Sequence, residues 1–511
     1  MSNWSAGYVS DIGYTFGYYG ELNPLRIRLA FLNNGLVFPE LGTACELGFG
    51  QGLSANIHAS ASITKWYGTD FSPSQAGFAR ELAQLSSNDA ELFDDAFSEF
   101  FARTDLPDFD FICMHGIWSW VSDENRKLIV DFIHRKLKVG GVLYISYNLL
   151  PGWAAFAPIR HLLSEHTQIM GSEGQGTVNR IDDAIAFAEK LLETKPAYAR
   201  DNPLAAERVQ SLKNQNRQYL AHEYFNRDWQ PMHFSTLADW LEPAKMQYAC
   251  SAHYLDHIEA INFTAEQLSF LNEIPDARFR ESVRDFMANQ QFRRDYWVKG
   301  PRRFSQLDQN ESIRAQRVVL LSHRPDVVLE ITGKLGVISL NEAIYSPILD
   351  VLENHEPIAI GDLESILKSK NIQFSQLIQA IIIMIGSNIL SPANDDLVLQ
   401  KCKKNTTDLN TALMLKARGQ QEFAHLASPV TGGAISLGRF NLLFTLAYSL
   451  GKISALELAE FVLQTLNVQD QKITKNGKTL ETDQENLSEL LTQAEVYFGK
   501  LLPILKALQV I

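Results

Sequence analysis

The sequence predicts an α/β fold that begins with a parallel sheet covered by helices on both faces. Over roughly the first 150 residues, short apolar segments alternate with segments of helical periodicity. A glycine-rich turn follows the first of these segments, and acidic residues follow later ones. Apolar strands that alternate with helices are typical of parallel sheets, in which ligands bind beyond the carboxyl ends of the strands.

The first strand is predicted from the stretch ACELGFGQG, residues 44–52. We interpret it as the end of a buried strand, followed by a tight turn and then a helix. Gly48, Gly50 and Gly52 allow the backbone to turn sharply and to lie close to a ligand. The acidic Glu46 precedes them, where it could hold a positively charged group.

Further strand signals occur at residues 65–70, 90–93, 109–114 and 141–147. Asp70 lies about 20 residues beyond the glycine turn, where nucleotide-binding units place the carboxylate that binds ribose hydroxyls. The alternative is an acid that caps the next helix. The residues that end these strands are expected to converge on one crevice.

The ordered series ELGFGQG, YGTDFSP, FDDAF, FDFICMHG and KVGGVLYISYN resembles the motifs of the class I S-adenosylmethionine-dependent methyltransferases. This resemblance implies a Rossmann-like sheet, S-adenosyl-L-methionine as the methyl donor and S-adenosyl-L-homocysteine as the product. A dehydrogenase is the main rival, but it would favour the spacing G-x-G-x-x-G over the G-x-G-x-G found here.

The resemblance also implies the cofactor-binding residues. The glycines would border the methionine moiety, Asp70 would hold the ribose, residues 95–97 would flank the adenine, and His115 would lie near the cofactor. A polar residue is usual at the adenine position, and the register places either Asp95 or Ala96 there, so this contact could come from the backbone. The full set is Glu46, Gly48, Gly50, Gly52, Asp70, Phe71, Asp95, Ala96, Phe97 and His115.

A closer resemblance rests on residues 14–24, on HGIWSWV at 115–121 and on YNLLPGW at 147–153. These stretches are similar to large bacterial methyltransferases that carry a methyltransferase regulatory domain. That group includes the rickettsial-type outer-membrane-protein lysine methyltransferases. The resemblance therefore implies a protein substrate, with lysine as the acceptor.

The acceptor side of the site is expected at the end of the fifth strand. The Asn148 side chain and nearby carbonyls would orient a lysine amine, with Tyr147 and Trp153 as walls of the acceptor channel and Tyr14 closing it. Each of these aromatic residues has core packing as its alternative. A hydroxyl acceptor would instead need a general base, for which His115 and His222 are the candidates.

Three functions are compatible with these motifs. The first is an N-methyltransferase that acts on protein lysine, and the second is an O-methyltransferase that acts on a glycan or small molecule. The third is a non-catalytic, cofactor-binding regulatory protein. No metal is expected, because the four cysteines are far apart and no pair has metal or redox spacing.

The predicted domains are a methyltransferase domain over 1–260 with a helical insertion at about 160–230, a helical linker or regulatory region over 261–330, a winged-helix-like module over 331–400 and a helical domain over 401–511. The helix at 374–385 contains no Lys or Arg, which argues against DNA recognition. Arg293, Arg294, Lys299, Arg302 and Arg303 are interpreted as a solvated linker face.

The totals favour a cytoplasmic protein that binds neither nucleic acid nor anionic membranes, because the formal net charge is -13. No apolar run is long enough to span a bilayer, and the start lacks the pattern of a signal peptide. The C-terminal modules have three open roles: recruiting a substrate, pairing two chains in a homodimer, or bracing the catalytic domain.

Overall fold

The computed structural model describes residues 15–226 and 228–511. Within these residues, one sheet of seven strands has the order β3-β2-β1-β4-β5-β7-β6. Strands β1 to β5 are parallel, and β7 runs antiparallel to both β5 and β6. The predicted α/β fold with a Rossmann-like sheet is confirmed. Its strands are β1 Thr43–Leu47, β2 Lys65–Thr69, β3 Glu91–Phe93, β4 Phe109–Met114, β5 Leu137–Asn148, β6 Met246–Ser251 and β7 Phe292–Lys299.

Helices cover both faces of this sheet because alternate strand residues point to opposite sides. On one face, Ile112 and Leu143 pack in a core with Phe132 of α5. On the other face, Phe111 and Tyr144 share a core with residues of α1. The helices of this part are α1 Pro24–Asn33, α2 Leu53–Ala61, α3 Pro73–Leu85, α4 Phe97–Phe100 and α5 Asp123–Lys136.

A helical insertion follows β5, as predicted, but its helices begin at residue 150 rather than at about 160. It has a core of its own, which includes Trp153, Leu163 and Ile185. The helices are α6 Leu150–Trp153, α7 Ala157–Ile169, α8 Thr177–Glu193, α9 Ala197–Asp201, α10 Leu204–Leu212 and α11 Arg217–Tyr224, and α12 Phe234–Leu241 then leads back to the sheet.

The sheet extends beyond the predicted boundary at residue 260. After α13 Ala265–Asn272 and α14 Ala277–Met287, the chain returns as β7, which lies between β5 and β6. The interpretation of Arg293 as part of a solvated linker face is wrong. Its guanidinium is buried and forms ion pairs with Glu281, Asp285 and Asp295, each at 2.9 Å.

The next region, up to residue 393, contains four α-helices within the part of the chain that the structure describes. They pack beside a small antiparallel sheet with the order β11-β8-β12. The name winged-helix-like for this region stays a prediction. The elements are α15 Gln306–Arg314, β8 Arg317–Leu320, β9 Glu330–Gly333, β10 Gly336–Ser339, α16 Glu342–Val351, β11 Ile358–Ala359, α17 Ile360–Leu367, α18 Phe374–Gly386 and β12 Leu390–Ala393.

The remaining chain, residues 396–511, is here called the C-terminal helical region. It packs directly on the first part of the protein, since Leu53 and Ile57 of α2 and Leu82 of α3 share one core with Leu409 and Phe423. Its elements are α19 Asp396–Lys416, β13 His425–Ser428, β14 Gly433–Ser436, α20 Arg439–Ser449, α21 Ala455–Asn467, β15 Thr474–Lys475, β16 Lys478–Thr479, α22 Asp483–Val496 and α23 Leu502–Ala507.

All four cysteines are buried and unpaired in the described chain. Among the described helices, none combines the length and the apolar character needed to cross a membrane.

Candidate functional site

A cavity lies beyond the carboxyl ends of β1, β2 and β4, at the edge where the predicted site residues were expected to meet. Its walls come from four sources: the glycine-rich turn, the ends of β2 to β4, the segment before α1, and the end of the helical insertion. The lining residues include Thr15, Gly17, Tyr19, Gly48, Gly50, Gly52, Asp70, Phe71, Asp95, Ala96, Phe97, His115, Trp120, Asn125, His222, Glu223, Asn226 and Asp228.

The glycine-rich turn depends on backbone conformations that other residues rarely adopt. Gly48, Gly50 and Gly52 have φ values of +73°, +57° and +66°. At Gly52 a side chain is also excluded by packing, because a Cβ atom there would lie 2.4 Å from the Cβ of Ala79 in α3. The turn therefore brings its backbone to the cavity while α2 stays close to α3.

Asp70 fixes this turn from the end of β2. Its side chain is 7% exposed, and one carboxylate oxygen accepts the N–H of Gly50 at 2.9 Å. The other oxygen accepts the N–H of Ser72 at 3.0 Å. Burial raises the pKa of Asp70 to about 6, although the two N–H donors oppose this rise. At neutral pH the carboxylate is thus largely ionised and still has lone pairs for a ligand.

Glu46 lies beneath the turn rather than on the cavity wall. The side chain is 1% exposed, and its Oε2 has no hydrogen-bond partner among the described residues. Burial, together with the negative charge of Asp70, raises the pKa of Glu46 to about 8. A positively charged ligand group above the turn would stabilise the ionised form of this carboxyl.

The residues after β3 line the cavity, and several of their polar groups already have an ion-pair or hydrogen-bond partner. The Asp95 carboxylate pairs with Arg103 at 3.2 Å, and its carbonyl oxygen accepts the hydroxyl of Thr69. The N–H of Ala96 donates to Glu99 at 2.9 Å. Phe97 begins the short helix α4.

His115 is held as a neutral imidazole at the end of β4. Its Nδ1 lies 2.7 Å from the hydroxyl of Tyr144, and its ring stacks on Tyr19 with centroids 3.6 Å apart. Burial lowers the pKa of His115 to about 4. A base this weak would be inefficient in removing a proton from a hydroxyl near neutral pH.

Two family models match the chain, the "Methyltransferase domain" over residues 45–145 and the "Predicted methyltransferase regulatory domain" over residues 216–299. A Synechocystis protein described as uncharacterized protein sll1526 is 40% identical over 510 residues, which cover 99% of both chains. The chain belongs to the class I S-adenosylmethionine-dependent methyltransferases with a methyltransferase regulatory domain. The methyltransferase interpretation is therefore confirmed over the dehydrogenase.

Two more distant comparisons also cover most of the chain. Uncharacterized protein RP789 of Rickettsia prowazekii is 24% identical over 422 residues, which cover 78% of this chain and 69% of that protein. The solved structure of PKMT2 from Rickettsia typhi in complex with AdoHcy has the same overall fold, with a TM-score of 0.68 and 17% identity. The match covers 97% of this chain and 99% of that one.

The residues around the cavity fit the cofactor of this class, S-adenosyl-L-methionine. Its amino group and sulfonium are positively charged, which suits the unpartnered Oε2 of Glu46 and the carboxylate of Asp70. The three glycines leave room for a ligand to approach the backbone closely. Within the described chain, no group of three or more His, Cys, Asp and Glu side chains is arranged to hold a metal ion.

Three of the residues predicted for the acceptor side, Tyr147, Asn148 and Trp153, are not on the described cavity wall. Tyr147 is buried and donates its hydroxyl to Asp295 at 3.0 Å. The Oδ1 of Asn148 accepts the indole N–H of buried Trp153 at 3.2 Å. Tyr14 lies outside the described residues. A role for these four residues in the acceptor channel stays a prediction.

The end of the insertion supplies further polar groups of the cavity wall. His222 and Glu223 both line the cavity at the end of α11. Burial raises the pKa of Glu223 to about 7, while the positive charge of Arg160 opposes the rise. Asn226 and Asp228 could not be predicted as part of the cavity wall, because nothing in the local sequence pattern indicates that this segment folds back to the cavity.

Proposed function

We propose that this methyltransferase transfers the methyl group of S-adenosyl-L-methionine to the ε-amino group of a lysine in a protein. The observation that carries the proposal is the charge of the cavity. Among its described lining residues there are four carboxylates and no Lys or Arg. Such a cavity attracts a cationic side chain. The four are Asp70, Asp95, Glu223 and Asp228.

The cofactor supplies an activated methyl group on a sulfonium, which is transferred in line to a nucleophile. The chain has to align the acceptor and exclude water. A lysine amine is protonated at neutral pH and must lose that proton before it can attack. Glu223 is suited to accept it, because a pKa of about 7 lies near the working pH.

The cofactor-binding roles follow from the geometry of the turn. Asp70 would bind the ribose hydroxyls with the lone pairs that its two backbone donors leave open. Glu46 would balance the amino group from beneath the turn. The segment Asp95 to Phe97 would hold the adenine mainly through its backbone, because the Asp95 carboxylate is already paired with Arg103.

A role of the Asn148 side chain in orienting the amine stays a prediction; its Oδ1 accepts the indole N–H of Trp153. Replacing Asn148 with Ala is expected to lower turnover sharply and to spare cofactor binding. Intact activity in that variant would exclude the role. Pairing of two chains and a cytoplasmic location also stay predictions.

The test is transfer of a labelled methyl group to a bacterial protein extract, with the same extract acetylated on its lysines as the matched control. We expect label in the untreated proteins, recovered as methyl-lysine after hydrolysis, and little in the acetylated ones. Equal label in both extracts would contradict lysine as the acceptor. Label only in a protein-free fraction of glycans and small molecules would favour the O-methyltransferase. No transfer in spite of cofactor binding would favour a regulatory protein without turnover.

A further inference from the structure

The segment of residues 15–19, here called the arm, has two faces with different partners. Thr15, Gly17 and Tyr19 line the cavity. Phe16 and Tyr18, which alternate with them, pack into the core of the C-terminal helical region. This alternation is expected for an extended segment, whose successive side chains point to opposite sides. The arm therefore lies between the cavity and the C-terminal helical region.

The outward face of the arm is held by aromatic contacts. The Phe16 ring lies 4.6 Å from Phe423 and 5.2 Å from Phe78, measured between centroids. Tyr18 lies between His58 of α2 and His425 of β13, at 5.2 Å and 5.3 Å. Two of these partners, Phe423 and His425, belong to the C-terminal helical region. None of the four lines the cavity among the described residues.

Gly433 packs closely against this face. A Cβ atom at Gly433 would lie 2.2 Å from the hydroxyl oxygen of Tyr18 and 2.8 Å from the amide nitrogen of Asn23. Asn23 itself donates to the carbonyl of Thr431 at 2.9 Å. The turn between β13 and β14 is thus fitted against the arm and the start of α1, with no room for a side chain.

On the inward face of the arm, Tyr19 contacts α2 and the cavity wall. Tyr19 donates its N–H to the hydroxyl of Ser54 in α2 at 3.2 Å, and its ring stacks on His115. Its carbonyl oxygen lies 3.1 Å from Nε2 of His58. A displacement of Tyr18 would therefore be passed to the neighbouring Tyr19 and to the cavity wall.

We propose that the C-terminal helical region is a positioning element of the cofactor site: through Phe423, His425 and Gly433 it holds the arm over the cavity. This inference rests on the proposed cofactor site. It assigns the bracing role to the C-terminal modules. An arm that is already ordered loses little conformational freedom when the cofactor binds, so the cofactor binds more tightly than it would to a free arm.

The test compares two glycine substitutions in the full chain, Gly433→Ala and Gly438→Ala. Neither glycine has a φ in the left-handed region, and a Cβ at Gly438 would meet nothing within 4 Å. By calorimetry with S-adenosyl-L-methionine, we expect Gly433→Ala to weaken binding on the order of tenfold and Gly438→Ala to leave it nearly unchanged. Equal affinities in the two variants would overturn the proposal.

If Gly433→Ala does not fold, the contact between the arm and the C-terminal helical region can be tested with Phe16→Ala and Phe423→Ala, one from each side. Each should weaken binding, and the double variant should lose less than the sum of the two. Phe423→Leu should recover part of the affinity. Additive losses, or no recovery with Leu, would overturn the proposal.

Hydrogen exchange separates positioning from a general loss of stability. In Gly433→Ala, the arm should exchange faster while α20 and α21 of the same region keep their protection. Faster exchange throughout the C-terminal helical region would overturn the proposal.

Asp70→Ala serves as the reference for the cofactor site itself. If the unaltered chain does not bind the cofactor, the proposed function fails and this inference fails with it. If Asp70→Ala weakens binding but Gly433→Ala does not, only this inference fails.

Discussion

A carboxylate oxygen of Asp70 accepts a hydrogen bond from the N–H of Gly50 at 2.9 Å, although the two residues are 20 positions apart in the sequence. This bond joins the end of β2 to the turn after β1, and Asp70 also receives the N–H of Ser72. The Asp70 side chain therefore holds the turn in place. Its remaining lone pairs face the cavity, where they would meet hydroxyl groups.

Replacing Asp70 with Ala should weaken S-adenosyl-L-methionine binding by roughly ten- to a hundredfold, because the variant loses charged hydrogen bonds to the ligand and to the turn. Asp94→Ala is the matched control, since Asp94 is exposed, pairs with Arg80 and is not part of the described cavity wall. Isothermal titration measures both. An unchanged affinity in Asp70→Ala would remove the ribose assignment.

Replacing Gly52 with Ala should destabilise the fold, whereas Gly77→Ala should not. Gly52 has a φ of +66°, and its Cβ would lie 2.4 Å from the Cβ of Ala79. We expect a loss of about 2–4 kcal/mol from strain and overpacking. Gly77 is exposed within α3 with nothing near its Cβ position, so Ala there should add about 0.5–1 kcal/mol. Urea denaturation measures the difference, and similar midpoints would contradict the packing argument.

Replacing Glu223 with Gln should lower turnover and change its pH dependence. With a pKa of about 7, Glu223 is protonated below that pH and cannot accept a proton from the acceptor. Turnover of the unaltered enzyme should therefore fall as the pH drops through about 7, and the Gln variant should lack this step. Glu193→Gln, on an exposed position of α8, is the control. A step of the same size in both variants would exclude Glu223 as the proton acceptor.

The sequence predicts the parallel strands and the glycine-rich turn well, because their signals are local. Apolar runs mark β1 to β5, and the spacing from the glycines to Asp70 reflects one strand-helix-strand unit. The carboxyl ends of these strands lie at one edge of the sheet because the strands are parallel. Their convergence could therefore be predicted from the order of the motifs alone.

The features that could not be predicted from the sequence depend on long-range contacts. The stretch FRRDYWVK forms β7, yet its charges indicate a solvated segment until the fold brings Asp285 of α14 beside Arg293. Aromatic residues at the end of β5 could wall a channel or fill a core, and Tyr147 is buried against Asp295. The contribution of α11 to the cavity likewise arises only when the insertion folds back.

Replacing Arg293 with Ala should destabilise the protein by about 3–5 kcal/mol, because three carboxylates around it would lose their shared partner in a buried site. Arg303→Ala is the control from the same basic cluster, since its side chain is exposed and little change is expected. Urea denaturation at neutral pH measures both. A small and equal loss of unfolding free energy in both variants would contradict a network that depends on Arg293.

Replacing Glu46 with Gln should reduce the loss of stability as the pH rises. Burial and the charge of Asp70 raise the pKa of Glu46 to about 8 in the folded protein, against about 4.3 in the unfolded chain. Between these values the folded state holds a proton that the unfolded state has lost, so the free energy of unfolding falls with rising pH. From about pH 5.5 to about pH 7.5, the unaltered protein should lose roughly 2 kcal/mol more than Glu46→Gln. Groups that titrate in both proteins cancel in this difference. Urea denaturation at the two pH values measures it, and parallel losses would show that Glu46 has an ordinary pKa.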